Sequence, residues 1–270
     1  MKKLATIISF LFLFDGMVGA QTDSSFKLIR AVSGDIVAFT VDNLDNIYLL
    51  SSTNQVKKLN ANGDSVAIFN DVKKFGQASL IDVSNPLKVL LYYRDFATIV
   101  VLDRLLNIRN TIDLRKQNIL QARAVGQSYD NKIWVYDEVE NKLKKIDEDG
   151  KLLQETPDFR QLFEATPTPQ KIFDQDRFVY LYDSAQAVFV FDYYGTLKNK
   201  ILISNWQNFK VAGKYIFGSA NNKLLRYDIK TAMIDEWNMP DELYKSQSFN
   251  FSSTRLYALK KDVIEIYSFR

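Results

Sequence analysis

Apolar and polar positions alternate along this chain in short runs, and the runs are separated by turns rich in Asn, Asp and Gly. "NKLKKIDEDGK", Asn141 to Lys151, is one example, and "NQVKKLNANGD", Asn54 to Asp64, is a close copy. Looser copies begin at Ala97 ("ATIVVLDRLLN"), Gln186 ("QAVFVFDYYGT"), Asn222 ("NKLLRYDIKTA") and Asp262 ("DVIEIYSFR"). The residues that end these runs are Asn60, Asp103, Asp147, Asp192, Asp228 and Ser268, at spacings of 43, 44, 45, 36 and 40 residues. A second marker precedes each run: "NIYLL", "KVLLYY", "KIWVYD", "FVYLYD", "KYIFG" and "RLYAL". Two linked signals recurring six times define a repeat architecture.

Every unit reads as strands. The runs are short, rich in β-branched and aromatic residues, and bounded by turn residues. Gly63, Gly150 and Gly195 supply the positive φ that the tight turns need. Asp147 and Asp149 therefore read as turn formers. A calcium loop would need further oxygen ligands and a downstream bidentate Glu, and Glu155 is out of register. Four strands per unit and six units predict an all-β fold, a six-bladed β-propeller with four-stranded antiparallel blades. The alternatives are a β-solenoid, which has shorter turns, and a β-sandwich, which has no reason to repeat six times. The innermost strands are expected in "DIVAFTVD", "QASLIDVS", "QARAVGQS", "PQKIFDQ", "NFKVAG" and "SQSFNFSS". The last unit has only three strands, and "SFKLIRAV", Ser25 to Val32, stands unassigned ahead of the first. Pairing it with Ile264–Phe269 would complete the ring and bury Phe26, Leu28 and Ile29. A short helix or turn is expected at Asp158–Ala165, bracketed by Pro157 and Pro167.

The first 20 residues change the picture of where this domain works. Lys2-Lys3, an apolar run from Leu4 to Phe14, and Val18-Gly19-Ala20 before Gln21 have the layout of a secretory signal peptide. The expected organisation is a signal peptide over 1–20 and one propeller domain over 21–270, exported to the periplasm or cell exterior and soluble after cleavage. Without residues 1–20 the chain has 33 basic and 31 acidic residues. That balance, with the basic residues scattered, argues against nucleic acid as a partner. There is no Cys and no His, which removes the commonest metal ligands and the commonest general base. No cofactor and no metal are implied, and a monomer is expected.

"DNLDNIYLLSSTNQVKKLNANG" and "YDNKIWVYDEVENKLKKIDEDG" resemble the repeats of six-bladed propellers of the NHL and TolB-like superfamily. The chain is most similar, within that group, to small exported propellers of unassigned function in Bacteroidetes. The resemblance covers Ser25 to Arg270. It implies the fold but not a reaction, since one such fold carries many functions. The glycine that the pattern places before Asn46 is Asp45 here, and Asp130-Asn131 also lacks it.

Tyr48, Trp134, Tyr180 and Tyr257 share one repeat position and read as packing between blades, as do Tyr136 and Tyr182. On the inner strands, a count of thirteen back from Tyr48, Leu90 and Trp134 gives Asp35, Gln77 and Gln121. Ser79 and Arg123 lie two residues beyond the last two. These five are the candidate ligand-binding residues at a channel mouth, with Arg123 as the anion-binding group. Asp35, Asp82 and Asp174 lie near inner strands without an accompanying Glu. No G-x-S-x-G, P-loop or G-x-G-x-x-G motif is present. The leading expectation is a non-catalytic scaffold for a protein partner in the bacterial envelope. Binding of a small molecule or glycan at the channel mouth is the alternative, and a carboxylate hydrolase or lactonase is the second. Asp64-Ser65-Val66 and Asp183-Ser184-Ala185 resemble the Asp-Ser/Thr-apolar acceptor of O-linked glycans.

Overall fold

The computed structural model describes residues 26–70 and 72–269; the signal-peptide layout lies outside them. Twenty-four strands form six four-stranded antiparallel sheets. Blade 1 holds β2 (Ala38–Val41), β3 (Ile47–Leu50), β4 (Val56–Leu59) and β5 (Ser65–Phe69), and blade 2 holds β6 (Leu80–Asn85), β7 (Lys88–Tyr93), β8 (Thr98–Asp103) and β9 (Ile108–Asp113). Blade 3 comprises β10 (Ala122–Gln127), β11 (Ile133–Asp137), β12 (Lys142–Ile146) and β13 (Leu152–Glu155). Blade 4 comprises β14 (Lys171–Gln175), β15 (Phe178–Asp183), β16 (Ala187–Asp192) and β17 (Leu197–Ile201). Blade 5 has β18 (Gln207–Ala212), β19 (Tyr215–Ala220), β20 (Lys223–Asp228) and β21 (Ile234–Asn238). Blade 6 has β22 (Ser248–Phe251), β23 (Arg255–Lys260) and β24 (Val263–Phe269), and its outermost strand is β1 (Phe26–Ser33).

The second strand of each blade is buried on both faces, so it reads as a continuous apolar run rather than an alternation. Consecutive side chains serve opposite neighbours. Tyr48 and Leu50 pack toward blade 2, while Ile47 and Leu49 pack toward blade 6. The same division in every blade produces six apolar clusters, one per interface. The cluster of Ile36, Val41, Tyr257, Leu259 and Ile264 joins the last blade to the first. The aromatic set at one repeat position is core: Tyr48, Trp134, Tyr180 and Tyr257 are all buried. Two positions on from Leu90, Trp134 and Tyr180, tyrosines tie each blade to the segment that leads into the next. Tyr92 donates its hydroxyl to the Ala122 carbonyl, Tyr136 to Pro167 and Tyr182 to Trp206, at 2.7–2.8 Å.

Five of the six run-ending residues shape turns. Asn60, Asp103, Asp147, Asp192 and Asp228 each accept two backbone N–H groups through one side-chain oxygen, within the four residues that follow. In "DEDG" Asp147 takes the N–H groups of Asp149 and Lys151, and Gly150 closes the turn at φ 87°. Ser268 departs from the set because its strand continues, paired with β1. The expected short helix is Phe159–Leu162, capped by Asp158, with Phe159 stacked on Phe191 at 5.2 Å.

The clasp forms as expected, with Phe26 opposite Phe269 and Ser33 opposite Val263. Its side chains correct the sequence reading. Leu28 and Ile29 are 51 % and 49 % exposed rather than buried. The register slips between Leu28 and Arg30, leaving Ile29 in a bulge on the outermost strand, where pairing is locally lost and the strand bends. Phe26 and Val32 are the residues of β1 that reach the clusters on either side.

Candidate functional site

Register places one residue of each inner strand at a common level of the channel. Opposite the equivalent positions Tyr48, Leu90, Trp134, Tyr180, Phe217 and Tyr257 stand Thr40, Asp82, Gly126, Phe173, Lys210 and Asn250. Gly126 is required there, because a Cβ would lie 2.8 Å from the Ile172 carbonyl oxygen of the next blade. Part of the level is a bonded chain. The Lys210 ammonium donates to the Val41 carbonyl (2.7 Å) and to Asn250 Oδ1 (2.9 Å), and the Asn250 amide faces Thr40 Oγ1 at 3.4 Å. Lys210 therefore reaches from blade 5 to blades 6 and 1. Lys171, at the start of β14, donates to the Phe209 carbonyl beside it at 2.9 Å. Protein surrounds both ammonium groups, and burial lowers each from the usual lysine value to about 8. For Lys210 the field of Lys171 adds to that lowering, against the opposing fields of Asp42, Asp45 and Asp82.

The mouth where the inner strands end is acidic and aromatic. Asp82 accepts from the Ser84 and Gln127 N–H groups. Asp174 accepts from Trp134 Nε1 (3.0 Å), Ser128 Oγ (2.9 Å) and Tyr193 Oη (2.7 Å), locking blade 3 to blade 4. Tyr129 stacks on Tyr193 at 4.5 Å, and the Lys145 ammonium sits against Trp134, Tyr129 and Tyr193 while paired to Asp130 at 2.8 Å. This aromatic box is already filled by the protein's own cation.

The five sequence-derived candidates stand at the opposite mouth, where the inner strands begin. Gln121 and Arg123 come together, both donating to the Glu138 carboxylate, and Arg94 donates to the Arg123 carbonyl. Arg123 also donates to the Thr168 carbonyl, so Glu138 and Thr168 occupy the guanidinium that was expected to receive an anion. Ser79 accepts from the Arg94 N–H, and Gln77 is exposed. Asp35 binds Ser52 of its own blade, through the backbone N–H and the hydroxyl. Sequence reasoning missed Lys171 and Lys210. The count of thirteen reaches the loop before each inner strand. The true partners lie eight residues back in the first three blades and seven in the others. A lysine with apolar neighbours in "PQKIFDQ" and "NFKVAG" was the available signal.

No family model matches the chain, and no curated protein sequence matches it. Solved structures do. Virginiamycin B lyase from Staphylococcus aureus superposes with a TM-score of 0.62 at 13% identity, covering 91% of this chain and 100% of that one. The Neurospora crassa Pan2 WD40 domain gives 0.61 at 10% identity, covering 90% and 95%. PorZ, described as an essential bacterial surface component of the type-IX secretion system of Porphyromonas gingivalis, gives 0.55 at 10% identity over 83% of this chain and 29% of PorZ. At such identities the likeness is one of fold.

Proposed function

We propose that this propeller is a non-catalytic scaffold that holds a protein partner in the bacterial envelope, in keeping with its resemblance to exported NHL- and TolB-like propellers of Bacteroidetes. The carrying observation is the face formed by the turns after the first and third strands of each blade. Exposed apolar side chains stand at its tips: Leu44, Leu87 and Tyr129 around the channel, and Leu105, Tyr194 and Met233 further out. Tyr194 is 88 % exposed. Tyrosines such as Tyr129 and Tyr194 are enriched among the residues that carry binding energy at protein interfaces. The second support is that the carboxylates near the axis accept from turn N–H groups or neighbouring side chains. A catalytically inactive form of virginiamycin B lyase carries alanine for one histidine, and this chain has no histidine at all, so its fold likeness gives no reason to expect that lyase activity here. PorZ offers an analogy for a propeller at a bacterial surface. Export itself rests on residues 1–20, and N-terminal sequencing should find a mature chain beginning near Gln21. Of the two glycan-acceptor matches, Ser65 is exposed, whereas Asp183 is buried and holds Thr168 and Ala185.

The test is crosslinking and pull-down from native envelopes with the parent and a Leu87→Ser, Tyr194→Ser double variant. The parent should capture one envelope protein reproducibly. The variant should melt within about 0.5 kcal/mol of the parent, as surface changes do, and lose that capture. Equal capture by both would move the interface to another surface.

A further inference from the structure

The channel contains two cations for which the scaffold reading has no use. Lys171 and Lys210 come from adjacent inner strands, and among the described residues no carboxylate is within ion-pairing distance of either. Lys171 has one hydrogen bond and Lys210 two, while an ammonium has three N–H donors. Both residues are only half-buried, so water reaches them through the channel.

Enclosed charges are normally paired. The carboxylates nearest to Lys210 are already engaged. Asp42 accepts from the Leu44 and Asn46 N–H groups and from Tyr48 Oη, and Asp82 from Ser84 and Gln127. Asp42 follows the end of its strand, and Asp82 stands at the level of Lys210. Lys171 begins its strand, so it stands between the level of Lys210 and the other mouth, where Arg94 and Arg123 stand. An anion entering there passes Arg94 and the Arg123–Glu138 ion pair before it reaches the ammonium groups.

We infer that Lys171 and Lys210 form a binding site for one small oxyanion inside the propeller channel, reached from the mouth of Arg94 and Arg123. Two compact ammonium charges suit a carboxylate or a tetrahedral oxyanion, each oxygen accepting a charge-assisted hydrogen bond. Attraction is strengthened because the channel walls have low polarisability. The site is independent of any protein partner, which would dock on the turn tips.

Sulfate and acetate, each titrated calorimetrically into the full chain at constant ionic strength in chloride, provide the test. Both stay fully ionised from about pH 7 to about pH 9.5, whereas lysines with values near 8 lose their charge across that span. One of the two anions should bind saturably with one-to-one stoichiometry. Sulfate identifies a tetrahedral ligand and acetate a carboxylate. The affinity should fall about tenfold or more between those pH values, and by a similar factor in Lys171→Met. Lys171 contributes a single hydrogen bond, and circular dichroism checks that the variant folds; the pH series on the parent needs no variant. Absence of saturable binding by both anions, binding unchanged by pH, or equal binding by a folded Lys171→Met would each overturn the assignment.

Discussion

Gly218 shows how little room separates β19 from the segment that enters its blade. A Cβ built there meets the Trp206 ring at 2.7 Å, and overpacking of this kind costs about 1–3 kcal/mol. Gly218→Ala should lower the urea midpoint by a corresponding amount, whereas nothing lies within 4 Å of a Cβ at Gly213, whose replacement by Ala is opposed only by its φ of 58°. The channel lysines make a separate prediction. Unfolded, they ionise near 10.5; folded, near 8. Between those values the unfolded chain holds the protons that the folded one has released, so stability should rise with pH from about 8 to 10. Above about 10 it should fall again, because burial raises Tyr48, Tyr136 and Tyr257 and unfolding lets them ionise. Urea denaturation across this range checks both limbs, and Lys171→Met should flatten the first. The core aromatics were legible in the sequence because their repeat position is unvarying. The lysines were not, because a one-residue change in turn length between blades shifts the register that puts a side chain on the axis.

At the level of elements, strands and turns were legible because each obeys a local rule. An Asx residue closes the same turn four times and a longer one at Asp228, and apolar runs mark strands buried on both sides. The clasp was legible as an unpaired strand at each end of the repeat, but the exposure of Leu28 and Ile29 was not. A bulge depends on how two strands 240 residues apart meet, and no local pattern records it. The clasp therefore owes more to its backbone ladder and to Phe26 and Val32 than to burial along its length. Deleting Phe26–Ser33 removes that ladder and uncovers the edge of β24, which invites pairing between copies. The deletion should lower the melting temperature markedly and produce concentration-dependent aggregation in light scattering. A variant with Leu28→Thr and Ile29→Thr, which changes only exposed side chains, should melt close to the parent and stay monodisperse.

As a whole molecule, the propeller is a ring of like units in which every interface is an apolar cluster and one sheet is shared between β1 and β22–β24. The closed ring was legible from the count of six and the missing strand. The function of its faces was not, because turn tips and channel mouths depend on side chains that the repeat leaves free to vary. The shared sheet also sets an order of events. Synthesis delivers β1 before β24, so β1 must wait, unpaired, until the strands of all six blades have been made. Five blades can assemble as their strands arrive, yet the sixth cannot be completed by any shorter product. A chain cut off before β24 leaves β1 with no strand to join, and such fragments should be marked for proteolysis by the very strand that seals the intact molecule.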